Sequence, residues 1–180
     1  MKPRFYLDIF VPGGASVVKK VLGKVVRIVH GHLSSNDISS ISVGFPKYYE
    51  SIHPEKSTLG NSLRIVGDKF ELNMLSKSPS LFGMEEDFSI EVGKIKEVPE
   101  SEVIEVIFTR DRSIEKKIKF GYENRVETNS VPFPPYVMLA SKSMKTSFPL
   151  HVKMKPAEAR KDGSYSMYGM SVEGSTFPLF

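Results

Sequence analysis

Four side chains of this sequence have the types that proton transfer to and from a polymer backbone requires: His30, Ser141, Phe148 and Tyr168. A neutral imidazole near its ordinary pKa takes or gives a proton without a cofactor, so His30 is the residue to build on. A hydroxyl (Ser141) and an aromatic wall (Phe148, Tyr168) can orient what it acts on. Each has a structural alternative: a helix-end histidine bonded to carbonyls, a strand-end serine, two core aromatics.

Other chemistries find little support. The chain has no cysteine, which removes disulfides, thiolate catalysis and cysteine zinc sites together. His30 and His32 are two apart and do not share a helix face. There is no His-Glu-x-x-His, no EF-hand loop, no phosphate-binding glycine loop after Pro12-Gly13-Gly14 and no Gly-x-Ser-x-Gly elbow. No metal ligands and no cofactor are expected. Glu85-Glu86-Asp87 reads as a solvated turn.

The elements that must hold these residues follow from periodicity. Arg4 to Val11 alternates as a strand. Val18, Leu22, Val25 and Val29 recur at helical spacing, with Lys20, Lys24 and Arg27 opposite, which predicts a helix from Gly14 to Val29 closed by His30 and capped by Gly31. Ile41 to Phe45 and Leu63 to Val66 read as strands. Asp68 caps a second helix through Leu75 built on Phe70, Leu72, Met74 and Leu75. Phe88 to Val92 is a further strand. The order is β-α-β-β-α-β, a ferredoxin-like unit over residues 1–96. After a linker from Glu97 to Glu102, a smaller, strand-rich C-terminal domain spans 97–180. Its strands are Val103 to Thr109, Val137 to Ser141, Phe148 to Met154 and Ser164 to Met170. A short basic helix covers Ser113 to Lys119, and the apolar tail Phe177-Pro178-Leu179-Phe180 docks on the core. The fold class is α+β.

The 180 residues carry a net charge of +4, unevenly spread. From Glu85 to Glu105 eight acids face two lysines, a balance of −6; from Arg110 to Lys161 twelve bases face five acids, a balance of +7. Such a split suits one face for a polyanion. RNA brings its own nucleophile, the 2′-hydroxyl, so a histidine, a hydroxyl, an aromatic wall and a backbone clamp suffice to cut it. The Lys/Arg-Gly-Phe/Tyr motif of sheet-stacking RNA binders is missing, so RNA would bind in another mode. No run of eighteen apolar residues spans a membrane. Asp8 interrupts any signal-peptide core, so a cytoplasmic location is expected.

Several motifs resemble, in order and spacing, the type I-F CRISPR repeat-processing endoribonucleases, the Csy-type branch of the CRISPR RNA-processing superfamily. Tyr6-Leu7-Asp8-Ile9 resembles the family's opening strand, and His30 lies where the family keeps its catalytic histidine. Ile41-Ser42-Val43-Gly44-Phe45-Pro46 is similar to Ile-Gly-Val-Ser-Phe-Pro, and Leu59-Gly60-Asn61-Ser62-Leu63-Arg64-Ile65 to Leu-Gly-x-x-Leu-Arg-Ile. Tyr168-Gly169-Met170-Ser171 and the closing Phe177-Pro178-Leu179-Phe180 resemble its Tyr-Gly-Leu-Ser and Pro-aromatic terminus. The similarity covers roughly residues 4–66 and 137–180.

The resemblance implies an endoribonuclease that cuts precursor transcripts at the 3′ base of the repeat stem-loop. It needs no metal, leaves a 2′,3′-cyclic phosphate and stays bound to the mature crRNA. It implies His30 as proton-transfer residue, Ser141 as holder of the 2′-hydroxyl and Tyr168 as the limit on the histidine's orientation. Phe148 matches the aromatic that stacks beneath the terminal base pair, and Arg110 the bidentate reader of guanine. Arg112, Lys116, Lys117, Lys119, Lys142 and Ser143 complete the implied RNA contacts, and the partners would be the repeat stem-loop and other subunits of a type I-F effector complex. Two departures stand out. The prototype's long arginine-rich helix is represented by Ser113 to Asn129, with Lys116, Lys117, Lys119 and Arg125, and lysine lacks the planar fork. Phe108 stands where the prototype has an arginine base-reader. Two further readings stay open: a non-catalytic hairpin-binding subunit of a CRISPR ribonucleoprotein, and an unrelated ferredoxin-like assembly protein.

Overall fold

A computed structural model describes residues 2–87, 89–119, 132–141 and 146–180. Phe88, Arg125, Lys142 and Ser143 lie outside the described residues.

Strand β1 (Phe5–Phe10) leads through a turn at Pro12-Gly13 into α1 (Ala15–Ser35), then β2 (Ser42–Gly44), β3 (Ser62–Gly67), α2 (Lys69–Ser76), α3 (Pro79–Glu86), β4 (Glu91–Val92) and β5 (Lys96–Glu97). The order across this first sheet is β2-β3-β1-β4, with β5 also on β1, and every neighbouring pair is antiparallel. This is the ferredoxin-like arrangement, in which two split βαβ units interleave. Alternation places Leu7, Ile9, Leu63 and Ile65 on the covered face, each fully buried.

The second sheet is built from β6 (Ile104–Arg110), β7 (Tyr136–Ser141), β8 (Thr146–Pro156) and β9 (Phe177–Leu179), in the order β7-β8-β6-β9, again all antiparallel. Helix α4 (Arg112–Lys119) follows β6. Renumbered within the sheet, the order is 2-3-1-4, the same as in the first. The connection from β8 to β9, where a ferredoxin-like unit has its second helix, is made of turns. The sheets are joined through α1, which packs on β7, and through Phe108 (β6), wedged between Phe45 and Phe177 with ring centroids 5.9 and 5.3 Å away. Gly23 makes the α1–β7 approach possible, because a Cβ there would overlap the carbonyl oxygen of Met138.

Several expectations are corrected. The first helix does not stop at Val29: it runs to Ser35, with His30 and Gly31 inside it and Asn36 as the C-cap. Leu33, fully buried, continues the apolar stripe one turn further, and that packing outweighs the modest cost of one internal glycine. The second helical region is two helices, with α3 beginning at Pro79. Of its four expected apolar positions, Leu72 and Leu75 are buried while Phe70 and Met74 are exposed. Glu85 and Glu86 belong to the end of α3 rather than to a turn. Glu97, expected to open the linker, is instead paired with Phe5 of β1. Ser164 to Met170 is not a strand: Ser166 N–H donates to Met170 O at 2.8 Å and Gly169 N–H to Ser166 O at 2.7 Å, a tight turn closed by an isolated bridge. Phe108 is 2% exposed and belongs to the core, which removes it as a base-reading position.

Candidate active site

α1 carries His30 past the edge of β7 to the mouth of a cleft of about 660 Å³. His30, Tyr168, Phe148, Leu139 and Ala140 line it, together with Arg27, Ser78 and Ser80. His30, Tyr168 and Phe148, far apart in sequence, thus line one cavity.

The imidazole is held on two sides. Its Nδ1 lies 2.9 Å from the carbonyl oxygen of Met167. A carbonyl only accepts, so Nδ1 carries the proton and Nε2 is the nitrogen left with a lone pair in the neutral ring. Tyr168 stacks on the ring, centroids 4.1 Å apart and planes 8° from parallel. Both restraints come from the tight turn between β8 and β9. That turn is fastened to the first sheet where Val43 N–H donates to Gly169 O at 2.8 Å. Gly169 has φ +70°, and a Cβ there would overlap the Val43 side chain. In the sequence Gly169 stands out only as part of the motif Tyr168-Gly169-Met170-Ser171; that its backbone fastens the turn to Val43 follows from the fold.

Phe148 is half-buried on β8, paired in register with Leu139 of β7. Ser141 ends β7 opposite Thr146, one residue beyond the cleft-lining Ala140. Arg110 ends β6 with its guanidinium 5.5 Å from the Phe148 ring and 5.9 Å from the Tyr168 ring. It is bound to Glu115, with Nε 3.0 Å from Oε1 and Nη2 2.6 Å from Oε2. That hydrogen bonding raises the Arg110 pKa against the opposing effect of burial. Arg112 and Lys116 are exposed on α4, which also carries Lys117 and Lys119.

The base of α4 is an electrostatic knot that sequence reasoning missed, although Asp before a helical segment is a familiar capping signal. Asp111 Oδ1 accepts from the backbone N–H groups of Ser113 (3.0 Å) and Ile114 (3.3 Å), and Lys153 Nζ lies 2.6 Å from Oδ2. Burial alone would raise the Asp111 carboxyl; hydrogen bonds from Lys153, Ser113 and Ile114, with the lysine charge, bring it down to about 2. His151 lies beneath, 1% exposed against Tyr136 and Phe133, and neither ring nitrogen has a partner among the described residues. Burial lowers its pKa, opposed by the charges of Glu115 and Asp111. His32, on the cleft, is also lowered by burial. Among the described residues no group of three or more His, Asp or Glu could hold a metal ion.

Residues 6–180 match the family of CRISPR-associated protein (Cas_Csy4). The chain belongs to the Cas_Csy4 family. Membership makes this Cas_Csy4 protein a member of the type I-F branch of CRISPR endoribonucleases and supports processing and binding of CRISPR repeat RNA. Two solved structures are also similar along the length of the Cas_Csy4 chain. One, described as an RAMP protein binding different RNA substrates, has TM-score 0.38 and 11% identity over 99% of this chain and 100% of its own. The other, a CRISPR associated protein Cas6, has TM-score 0.35 and 10% identity over 99% of each chain. No curated protein matches the sequence significantly. No helix among the described residues is long and apolar enough to cross a membrane.

Proposed function

We propose that this protein cuts CRISPR precursor transcripts at the 3′ base of the repeat stem-loop and remains bound to the mature crRNA. His30 Nε2 takes the proton of the 2′-hydroxyl as O2′ attacks phosphorus. The bond from phosphorus to O5′ breaks, O5′ takes a proton from solvent water while the protonated His30 returns its own to solvent, and the upstream strand ends in a 2′,3′-cyclic phosphate. No metal takes part in this scheme. The observation that carries it is the commitment of His30 Nδ1 to Met167 O, which leaves Nε2 as the basic nitrogen of a ring that lines the cleft, while Tyr168 fixes the ring plane.

The other assignments follow the same reading. Ser141, at the end of β7, holds the attacking hydroxyl. Phe148 offers an apolar face on which the last base pair of the stem stacks, a contact every base can make. Arg110 reads that pair, and Arg112, Lys116, Lys117, Lys119, Lys142 and Ser143 neutralise or bond the backbone. Further subunits of a type I-F effector complex would receive the protein with its crRNA, in the cytoplasm.

The test is a labelled repeat hairpin carrying a single 2′-deoxy nucleotide before the cut, in chelator. Binding is expected to persist and cleavage to stop. Cleavage of the deoxy substrate would refute attack by the 2′-oxygen. Absence of cleavage of the all-ribose hairpin, with binding intact, would favour a non-catalytic hairpin-binding subunit.

A further inference from the structure

We propose that Glu115 is a positioning residue: it buttresses Arg110 so that the outer edge of the guanidinium meets a guanine at the foot of the RNA stem. The inference rests on the reading of the cleft as the site that holds a repeat hairpin.

A guanidinium has two edges able to form paired hydrogen bonds. Glu115 occupies the inner one, with Nε and Nη2 on its two oxygens at 3.0 and 2.6 Å. Nη1 has no partner among the described residues, so the outer edge, Nη1 with the second hydrogen of Nη2, is left for a ligand. An arginine side chain loses much rotamer freedom when it binds, and a carboxylate that fixes it beforehand removes that loss from the binding step.

Glu115 is itself well anchored. It stands in the first turn of α4, whose start is fixed by the Asp111 cap and Lys153. The backbone N–H of His151 approaches its Oε1 at 3.4 Å. Arg110 is held from the other side by β-pairing with Val152. A carboxylate this close to a polyanion would by itself weaken binding, so its presence makes sense through the arginine it holds.

The position selects the recipient. The guanidinium lies 5.5 Å from the ring of Phe148. A base stacked on that ring presents its major-groove edge at the same level, and guanine offers the O6/N7 acceptor pair there. A phosphate would accept the same edge but would not distinguish bases.

The experiment measures affinity by fluorescence anisotropy for three stem-loop RNAs. One is closed at its foot by C·G, one has 7-deazaguanine in that pair, and one has U·A; all carry 2′-deoxy before the cut. The full chain should lose about tenfold in affinity when N7 is removed or the pair is changed. Glu115→Ala should bind the C·G hairpin about tenfold more weakly, no longer discriminate, and have no further effect in an Arg110→Ala background. Glu115→Gln, which keeps one acceptor and should melt like the parent, should fall between.

If Glu115→Ala tightens binding or keeps the guanine preference while Arg110→Ala abolishes it, the buttress is refuted and the arginine reading survives. Equal losses on all three hairpins would refute guanine as the recipient. If Arg110→Ala leaves the preference untouched, the base-reading role of Arg110 fails. If the parent chain binds none of the hairpins, the underlying reading of the cleft fails.

Discussion

The rings of His30 and Tyr168 lie face to face, 4.1 Å apart and 8° from parallel, and the residue before Tyr168 supplies the carbonyl that holds His30 Nδ1. One turn of chain therefore sets both the tilt and the rotation of the imidazole. Tyr168→Ala removes the tilt restraint only. It should lower the single-turnover cleavage rate by roughly 10- to 100-fold, the usual effect of slight misplacement of a reacting group. Tyr168→Phe keeps the stacked ring and should retain most of the rate; an equal loss in both variants would instead assign the effect to the phenol oxygen.

Gly169→Ala should act on the same turn through the backbone. Its φ of +70° disfavours any side chain, and the added methyl would overlap Val43. The expected cost is roughly 1–3 kcal/mol, and thermal melting should register it as a fall of several degrees. Cleavage should fall further than the loss of folded protein explains, because Tyr168 moves with the turn. An unchanged Tm would mean that the turn relaxes freely.

Acid should destabilise the second sheet through His151. Burial lowers its pKa in the folded state relative to the ordinary 6.5, so the folded form binds fewer protons than the unfolded chain. Stability from this residue is complete above 6.5 and declines as pH falls from there towards the lowered folded value. Asp111 adds a second, lower window: with a folded value of about 2 against an ordinary 3.8, its contribution is complete above 3.8 and lost as pH falls through about 2. Urea unfolding of His151→Leu should show a flatter dependence on pH just below 6.5 and an unaltered one near 3. A slope unchanged by the substitution would put the acid sensitivity elsewhere.

How much of this was legible depends on how local each signal is. The strand at Phe5–Phe10 and the capped helix after Asp68 follow from alternation and one side chain, and both occur close to where the pattern puts them. The end of α1 did not, because Gly31 is a local stop signal overridden by Leu33, whose burial depends on packing that no window reveals. Ser164 to Met170 looked like a strand because Ser164-Tyr165-Ser166-Met167 alternates polar and apolar residue types, whereas in the fold Tyr165 to Tyr168 are all half-buried along a turn. His30, Phe148 and Tyr168 could be singled out by type, but their convergence on one cleft needs the β8–β9 connection to fold back on α1. Glu115 was counted only as one acid among the basic residues of the C-terminal half; its meaning comes from the Arg110 fork it faces.

The central claim is that the Nε2 nitrogen of His30 moves the proton that starts cleavage. It is tested most directly by single-turnover cutting of a labelled repeat hairpin in EDTA by His30→Ala beside the parent chain, with affinity for the uncut hairpin measured in parallel. The account predicts loss of cleavage by about a hundredfold or more with affinity little changed. Cutting at the parental rate by the alanine variant would contradict it.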